Sequence, residues 1–335
     1  MKDTFITLAH GAGGEQTAEL IDGIFKKYFS NSDLTADDAA VVNFQKGKLA
    51  CSTDSFIVSP AFFSGGNIGK LSICGTVNDL ACMGAKPLYL TAAFIIEEGF
   101  EMSKLEQIAS SMAETAAAAG VRIISGDTKV AGKGQVDGIF INTTGIGIVK
   151  EGTVTGGALV QDGDDIIVTG NIGQHGATIL LARNDFGIQA DVKSDCAPLW
   201  NIVNAITGIS GNIHTIRDAT RGGTGTVLYE IAGQSQVSIH IEQENIPVSP
   251  QVKGICGMLG LDPMYLACEG RLVIFCSHRD SEKIIEELHK YPESKDARII
   301  GHAEKNNPGR VILKTELDTE TLLPPPTGEL LPRIC

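Results

Sequence analysis

Asn67–Ile96 reads NIGKLSICGTVNDLACMGAKPLYLTAAFII, and its two halves call for different structures. The spacing predicts a helix over residues 67–84 with Asn78 and Asp79 in its C-terminal half, then a strand over Leu88–Ile96. On the N-terminal side, residues 14–29 (GEQTAELIDGIFKKYF) set Leu20, Ile21, Ile24, Phe25 and Tyr28 at helical spacing. Short β-type runs follow at Ala40–Phe44, Leu49–Thr53 and Phe56–Val58. On the C-terminal side, Ser103 and Glu106 have the spacing of a capping box, opening a helix that runs through alanines 116–119 to Gly120. Strands are expected over Val121–Ser125 and Gly138–Val149, around a polar turn Gly126-Asp127-Thr128-Lys129. This half is therefore α+β, with enough contiguous strand for one sheet or half-barrel.

A Gly-rich link, Lys150–Gly163, ends in a turn before a strand over Asp165–Thr169. A second α/β unit is expected to run to about residue 315. Its helices lie near Gly176–Arg183, Pro198–Thr207, Thr224–Ala232 and Ser281–Leu288, and its strands at Val237–Ile241, Arg271–Cys276 and Ile299–Gly301. The expected organisation is an N-terminal domain over 1–150, a C-terminal domain over 151–315 and a tail over 316–335. A length of 335 residues favours two cores over one.

An apolar share of 43% with 20% charged residues is that of a soluble globular chain. No apolar run approaches the roughly 18 residues of a membrane span, and MKDTFITLAHGAGG is not a signal peptide. The expected compartment is the cytoplasm. A net charge of −13 argues against nucleic acid or an anionic membrane as partner. The eight cysteines contain no CxxC pair, which argues against a structural zinc site.

The chain ends Pro324-Pro325-Pro326-Thr327-Gly328-Glu329-Leu330-Leu331-Pro332-Arg333-Ile334-Cys335. Its prolines keep the segment extended and out of sheets and helices. At about 3.1 Å per residue such a stretch spans roughly 35 Å. The two readings are a tethered thiol that carries a group between sites and an ordinary frayed end. A prenylation box is excluded, because it needs its cysteine four residues from the end.

Aspartates stand at expected strand ends and turns: Asp37-Asp38, Asp54, Asp79 and Asp127, with Lys129 two residues after the last. Such oxygen donors suit a hard divalent cation held together with substrate phosphates. For any one of them, an ordinary turn aspartate is the simpler reading. As a set with Lys129 they favour a metal–phosphate site. His10-Gly11-Ala12-Gly13-Gly14 precedes a helix, where backbone N–H groups can face an anion. Gly65–Lys70 only mimics a P-loop, being one residue short and ending in Leu71 where Ser or Thr belongs. Arg217-Asp218-Ala219-Thr220-Arg221-Gly222-Gly223 joins two guanidiniums to a glycine turn before a helix. His175 reads as a helix-start residue, Trp200 as a core anchor, and Glu269 as either a buried acid or a turn residue.

In order along essentially the whole chain, HGAGGEQT, DDAA, STDS, GTVNDLACMGAKP, SGDTKV, RDATRGG and the terminal PRIC closely resemble the HypE family of hydrogenase maturation proteins, within the PurM-like ATP-binding superfamily. The terminal motif is the most specific part of the likeness. The resemblance implies a two-domain PurM-like fold, a homodimer whose N-terminal domains pair into a β-barrel, and ATP with Mg²⁺ near that interface. It further implies that Cys335 receives a carbamoyl group from the carbamoyltransferase HypF. The group is dehydrated to S-cyanide, and the cyanide passes to iron on a HypC–HypD complex. Carried over residue by residue, Asp38, Asp54, Asp79 and Asp127 fall on metal-holding positions and Lys129 faces the phosphates. Asn78, Thr128 and the Gly11–Gly14 turn complete the nucleotide contacts. Glu269 is the candidate base, with His10 as fallback. Selenophosphate synthetase, a relative in the superfamily, would need a reactive cysteine in the N-terminal glycine-rich segment, and His10–Thr17 has none. Aminoimidazole ribonucleotide synthetase and thiamine-phosphate kinase would not need a terminal cysteine. A non-catalytic nucleotide-binding scaffold is the alternative from another class.

Overall fold

A computed structural model describes residues 4–11, 15–32 and 47–325. A 3-10 turn, Leu8–Gly11, leads into α1 (Glu15–Leu20), a π-helical turn Ile21–Phe25 and α2 (Lys26–Phe29). Then come β1 (Leu49–Phe56), the two-residue strands β2 (Phe62–Phe63) and β3 (Gly66–Asn67), α3 (Ile68–Cys82), β4 (Ala85–Glu97), α4 (Met102–Ala119), β5 (Arg122–Ala131) and β6 (Ile139–Val149). The expected strand Ala40–Phe44 lies outside the described residues.

Strands β1, β6, β4 and β5 form a four-stranded sheet in that order. One face is covered: Leu90, Ala92, Phe94 and Ile96 of β4 are buried, and Thr143 of β6 bonds to Ser72 and Thr76 of α3. The opposite face carries Leu49 and Ile95, both exposed apolar side chains. Among the described residues β1 and β5 are the two edges.

Three expectations in this half change. Leu49–Thr53 extends into one strand ending at Phe56, because Ser52, Asp54 and Phe56 alternate inward while Cys51, Thr53 and Ser55 point out, and Ile57 and Val58 lie beyond it. The tetrapeptide Gly126–Lys129 is not a turn but the middle of β5. Gly126 is there for a close strand approach, since a Cβ on it would stand 2.4 Å from the Ala92 carbonyl oxygen. The capping box does not form: α4 starts one residue before Ser103, with Glu101 at the N-cap, and the Glu106 carboxylate bonds Lys27 and Tyr28 instead. Gly65–Lys70, rejected as a P-loop, is the second half of the β2–β3 hairpin running into the cap of α3, where Asn67 Oδ1 accepts from the Gly69 and Lys70 N–H groups.

The second half contains β7 (Asp164–Val168), α5 (Gln174–Arg183), α6 (Trp200–Ile209), β8 (Ile213–Asp218), α7 (Gly223–Ser235), β9 (Ser238–Glu242), α8 (Pro250–Leu259), β10 (Leu272–Ser277), α9 (His278–Leu288), β11 (Arg298–Glu304), β12 (Val311–Lys314) and β13 (Glu320–Leu322). Its seven-stranded sheet has the order β13-β12-β9-β11-β7-β10-β8. Helix α8 and strands β8, β12 and β13 were not expected. Strand β8 matters most, because it turns Arg217-Asp218 from loop residues into the end of a strand. β13 and the buried Leu323 place the ordered chain past residue 316, where a tail was expected.

Helix α3 is buried along nearly its whole length, because it lies between the first sheet and the second half. Its residues pack on β1, β6 and β4 on one side and on α6 and β8 on the other. One apolar cluster accordingly runs through both halves, from Ile6 and Phe94 to Trp200 and Ile274. Trp200, 8% exposed, is the core anchor expected of it. No helix among the described residues is long and apolar enough to cross a membrane.

Candidate active site

The junction of the two halves gathers carboxyl groups. Asp54 comes from the covered face of β1, Asp79 from the last turns of α3, Asp218 from the end of β8, and Glu269 from the turn before β10. Asp79 accepts a 2.5 Å hydrogen bond from Ser52 Oγ. Burial pushes Asp54 up to about 6, and the neighbouring charge of Asp79 adds to the rise, against a smaller lowering by Arg221. Burial and Asp79 likewise raise Asp218 to about 7, eased by Arg217. Glu269 is 5% exposed. Its carboxyl is held well above the ordinary range by burial first, then by Cys196, Asp195, Asp218 and Asp54. Carboxyl groups that raise the proton affinity of Asp54, Asp218 and Glu269 form a site short of positive charge.

The Glu269 turn is fastened by a residue that the sequence reading passed over. Asp195, whose side chain is fully buried, accepts from the Glu269 N–H at 3.3 Å and the Gly270 N–H at 3.1 Å. Arg271 stands 3.7 Å from the same carboxylate and spends its other donors on Asn171, Gly270, Glu293 and Gln174. The one available signal was the glycine after Glu269: a Cβ on Gly270 would lie 1.8 Å from the Asp195 carbonyl oxygen.

Asn78, expected at a nucleotide, is buried and bonded to the second half. Its amide donates to the Ala197 carbonyl at 3.0 Å and accepts from the Leu199 N–H at 2.8 Å. His175 begins α5 as expected, but it is fully buried. Its Nδ1 lies 2.8 Å from Ser194 Oγ, and burial lowers its pKa to about 4.

Asp127, Thr128 and Lys129 lie elsewhere. The register Asp54–Thr143–Ala92–Gly126 puts Asp54 on the covered face, so Asp127, next along β5, faces the open side. Three strand spacings, about 14 Å, separate these edges. Asp127 pairs with Lys129 at 2.9 Å, and that bond holds its carboxyl below the ordinary value. The Leu8–Gly11 turn packs against β5, with His10 buried and its Nδ1 3.1 Å from the Thr7 N–H. Asp38, Gly13, Gly14 and Cys335 lie outside the described residues.

At the RDATRGG segment, Arg217 pairs with Glu230 at 2.9 Å and Arg221 is exposed. Gly222 and Gly223 take left-handed φ of +75° and +60° at the start of α7. A Cβ on Gly223 would also meet the Leu266 carbonyl oxygen at 2.5 Å, so these glycines seat the helix against the segment leading to Glu269.

Residues 36–149 match the family AIR synthase related protein, N-terminal domain, and residues 161–314 match AIR synthase related protein, C-terminal domain. Over its full length the chain is 42% identical to carbamoyl dehydratase HypE of Rhodobacter capsulatus, of which it covers 99%. The chain belongs to the carbamoyl dehydratase HypE family. Its fold is the two-domain α+β fold of solved HypE structures. It superimposes with a TM-score of 0.94 on hydrogenase maturation protein HypE in complex with ATP, at 42% identity, covering 98% of this chain and 99% of that one. For the HypE–HypF complex the TM-score is 0.81 at 43% identity, covering 92% and 99%.

The donor set fits a hard cation in one particular way. Among the described residues no three side chains converge to hold a metal ion unaided. The Asp54–Asp79 pair supplies two carboxylates, the number with which Mg²⁺ is commonly held when phosphates provide the remaining oxygens.

Proposed function

We propose that this protein is an ATP-dependent carbamoyl dehydratase that converts an S-carbamoyl group on its own Cys335 into S-cyanide, supplying cyanide for hydrogenase maturation. The observation that carries the reading is the full-length likeness to carbamoyl dehydratase HypE. ATP transfers its γ-phosphoryl group to the carbamoyl oxygen, so that oxygen leaves as phosphate with ADP as the other product, and the two N–H protons are released as C≡N forms.

The residues divide that task. Asp54 and Asp79, with Asp38 and Asp127 as further candidates, hold Mg²⁺. Lys129, Arg217 and Arg221 offer cationic groups to phosphate oxygens, and Thr128, Asp218, Gly222 and the His10–Gly14 segment form the rest of the nucleotide wall. Glu269 takes a proton from the carbamoyl nitrogen. Burial and the neighbouring acids favour its neutral form, so proton uptake by this carboxylate is helped when the local negative charge is offset. A divalent cation held by Asp54 and Asp79 would supply that offset.

The proposed partners are HypF as carbamoyl donor, HypC–HypD as cyanide acceptor, and a second copy of this chain, acting in the cytoplasm. A single copy separates Asp54–Asp79 from Asp127–Lys129, and among the described residues no further strand pairs with β1 or β5 and Leu49 and Ile95 are exposed. Pairing of two N-terminal sheets into a barrel answers both features.

The test is intact mass after incubation with the carbamoyltransferase, carbamoyl phosphate and Mg-ATP, beside Cys335→Ala. Gain of one carbamoyl group followed by loss of one water, absent from the variant, is expected. An unmodified Cys335 beside an active transferase refutes the proposal.

A further inference from the structure

The turn that carries Glu269 is left unfinished by the sheet. On either side of it the backbone pairs with Ala219, the residue after Asp218. The Cys268 N–H donates to the Ala219 carbonyl at 2.9 Å, and the Ala219 N–H to the Arg271 carbonyl at 3.1 Å. Between these bonds the Glu269 and Gly270 N–H groups have no strand partner. Both residues are buried, and buried N–H groups must be paired. Asp195 pairs both, and these are the only hydrogen bonds its side chain makes among the described residues.

A fully buried carboxylate is a costly way to satisfy two amides, because water solvates it well in the unfolded chain. What it adds is fixity. Charge-assisted bonds are short and strong, and these two straddle the Glu269 Cα, the atom from which the side chain departs. The Glu269 carboxyl makes no hydrogen bond of its own among the described residues, although the residue is only 5% exposed. Its aim is therefore set from the backbone.

The segment that Asp195 begins also reaches the other half. The Ala197 N–H donates to the Glu269 carbonyl at 3.4 Å. The Ala197 carbonyl and the Leu199 N–H bond the side-chain amide of Asn78, the residue before Asp79. Asn78 Nδ2 lies 3.5 Å from the Glu269 carbonyl as well. Residues 195–199 thus touch the neighbour of a candidate metal ligand at one end and the turn of the proposed base at the other. Gly270 permits the approach, since a Cβ there would also stand 3.2 Å from the Ala197 nitrogen.

We infer that Asp195 is a positioning residue of the dehydration: it fixes the turn from which Glu269 reaches the carbamoyl nitrogen and sets that turn in register with Asp79. This rests on the dehydratase reading above. Asp195 touches no substrate atom, so its whole effect passes through Glu269.

The experiment follows conversion of carbamoylated Cys335 to the cyano form by intact mass, over a range of Mg-ATP concentrations. It compares the native chain with Asp195→Asn, Glu269→Gln and the double variant. Asp195→Asn keeps the shape and one acceptor oxygen but turns an N–H₂ group toward a backbone N–H. Conversion is expected to slow about 100-fold, the cost of moving a reacting group by about 1 Å. The KM for ATP and the carbamoylation step should not change, and the Gly270 amide should exchange its hydrogen faster. The double variant should convert no more slowly than Glu269→Gln alone, because residues that act as a unit are not additive. Asp195→Ser, which retains an oxygen acceptor and brings no N–H, makes the same comparison if the amide variant does not fold. A native rate in Asp195→Asn, or in Glu269→Gln, overturns the inference. So does a double variant slowed by the full factor again, because Asp195 then acts on something other than the base. If the native chain never converts Cys335, the dehydratase reading falls and the role of Asp195 with it. Faster Gly270 exchange in Asp195→Asn would then mark the clamp as structural only.

Discussion

The carboxylates at the junction of the two halves and the carboxylate on β5 are the same chemical group in opposite circumstances. Asp54, Asp218 and Glu269 are crowded, at least half-buried and pushed toward their neutral forms. Asp127 is exposed, paired with Lys129 and held in its charged form. A junction of acids stores unfavourable charge that a ligand can relieve, and binding or proton transfer can draw on that relief. An exposed ion pair has little to release, because water already screens it. The two regions should therefore respond very differently to mutation.

The largest expected effect is on Glu269. Glu269→Gln keeps the shape and the backbone bonds to Asp195 but removes the proton acceptor. Dehydration should fall roughly 10²–10⁴-fold, the usual worth of a general base, while carbamoylation of Cys335 proceeds. A time course by intact mass would then show the carbamoyl form accumulating. Near-native conversion would remove Glu269 from the mechanism and leave the junction acids to the metal alone.

Next comes the joint that brings the junction together. Asn78→Ala leaves the Leu199 N–H and the Ala197 carbonyl without their partner in a buried place, a loss of about 2–4 kcal/mol for two orphaned groups. Chemical denaturation should show that loss. A change below about 0.5 kcal/mol would mean the halves are held by the apolar cluster around α3 and the amide is incidental.

How far these residues were legible follows from the same contrast. Helix α3 and strand β4 could be read from spacing, because α3 packs on both sides and its apolar residues are nearly continuous. Asp79 could be placed with them. Asp127 was legible as a residue of interest but not as a strand residue: Gly126 carries the letter of a turn and the geometry of a close strand crossing. Asp195 had no signal beyond the distant Gly270, since its task is to accept two backbone N–H groups from a segment far away in sequence. Nothing in the letters around it, Lys193-Ser194-Asp195-Cys196, marks that role. Regular structure runs past residue 316, where a tail was expected, for a related reason. Three exposed residues in β13 look like tail, and only Leu323, one apolar side chain among prolines, anchors them.

pH should separate the regions without mutation. Asp54 and Asp218 have folded values of about 6 and about 7, above the ordinary carboxylate value. A group raised in this way binds its proton more tightly when folded. Its contribution to stability is complete below pH 4 and is lost as pH rises through 6 and 7. Melting of the metal-free, nucleotide-free protein should drop by a few degrees between pH 5 and 7.5. The drop should shrink in Asp54→Asn and on adding Mg²⁺ with ADP. A melting curve flat over that range would mean the junction acids are already compensated.

The smallest effect belongs to the open-face pair. Asp127 is held below its ordinary value, so its contribution is present at neutral pH and is lost only as pH falls through the carboxylate range, the opposite sign to Asp54. Both side chains are more than half exposed, and such pairs are worth about 0–1 kcal/mol. Asp127→Asn should therefore change the stability of the free protein by less than about 0.5 kcal/mol by urea denaturation. If the residue serves phosphate or metal in a site completed by a second copy, the same variant should raise the KM for ATP. A variant that is stable and binds ATP normally would confine the site to the junction. A stable variant with weakened ATP binding would make β5 the part of the site that one copy lends to another.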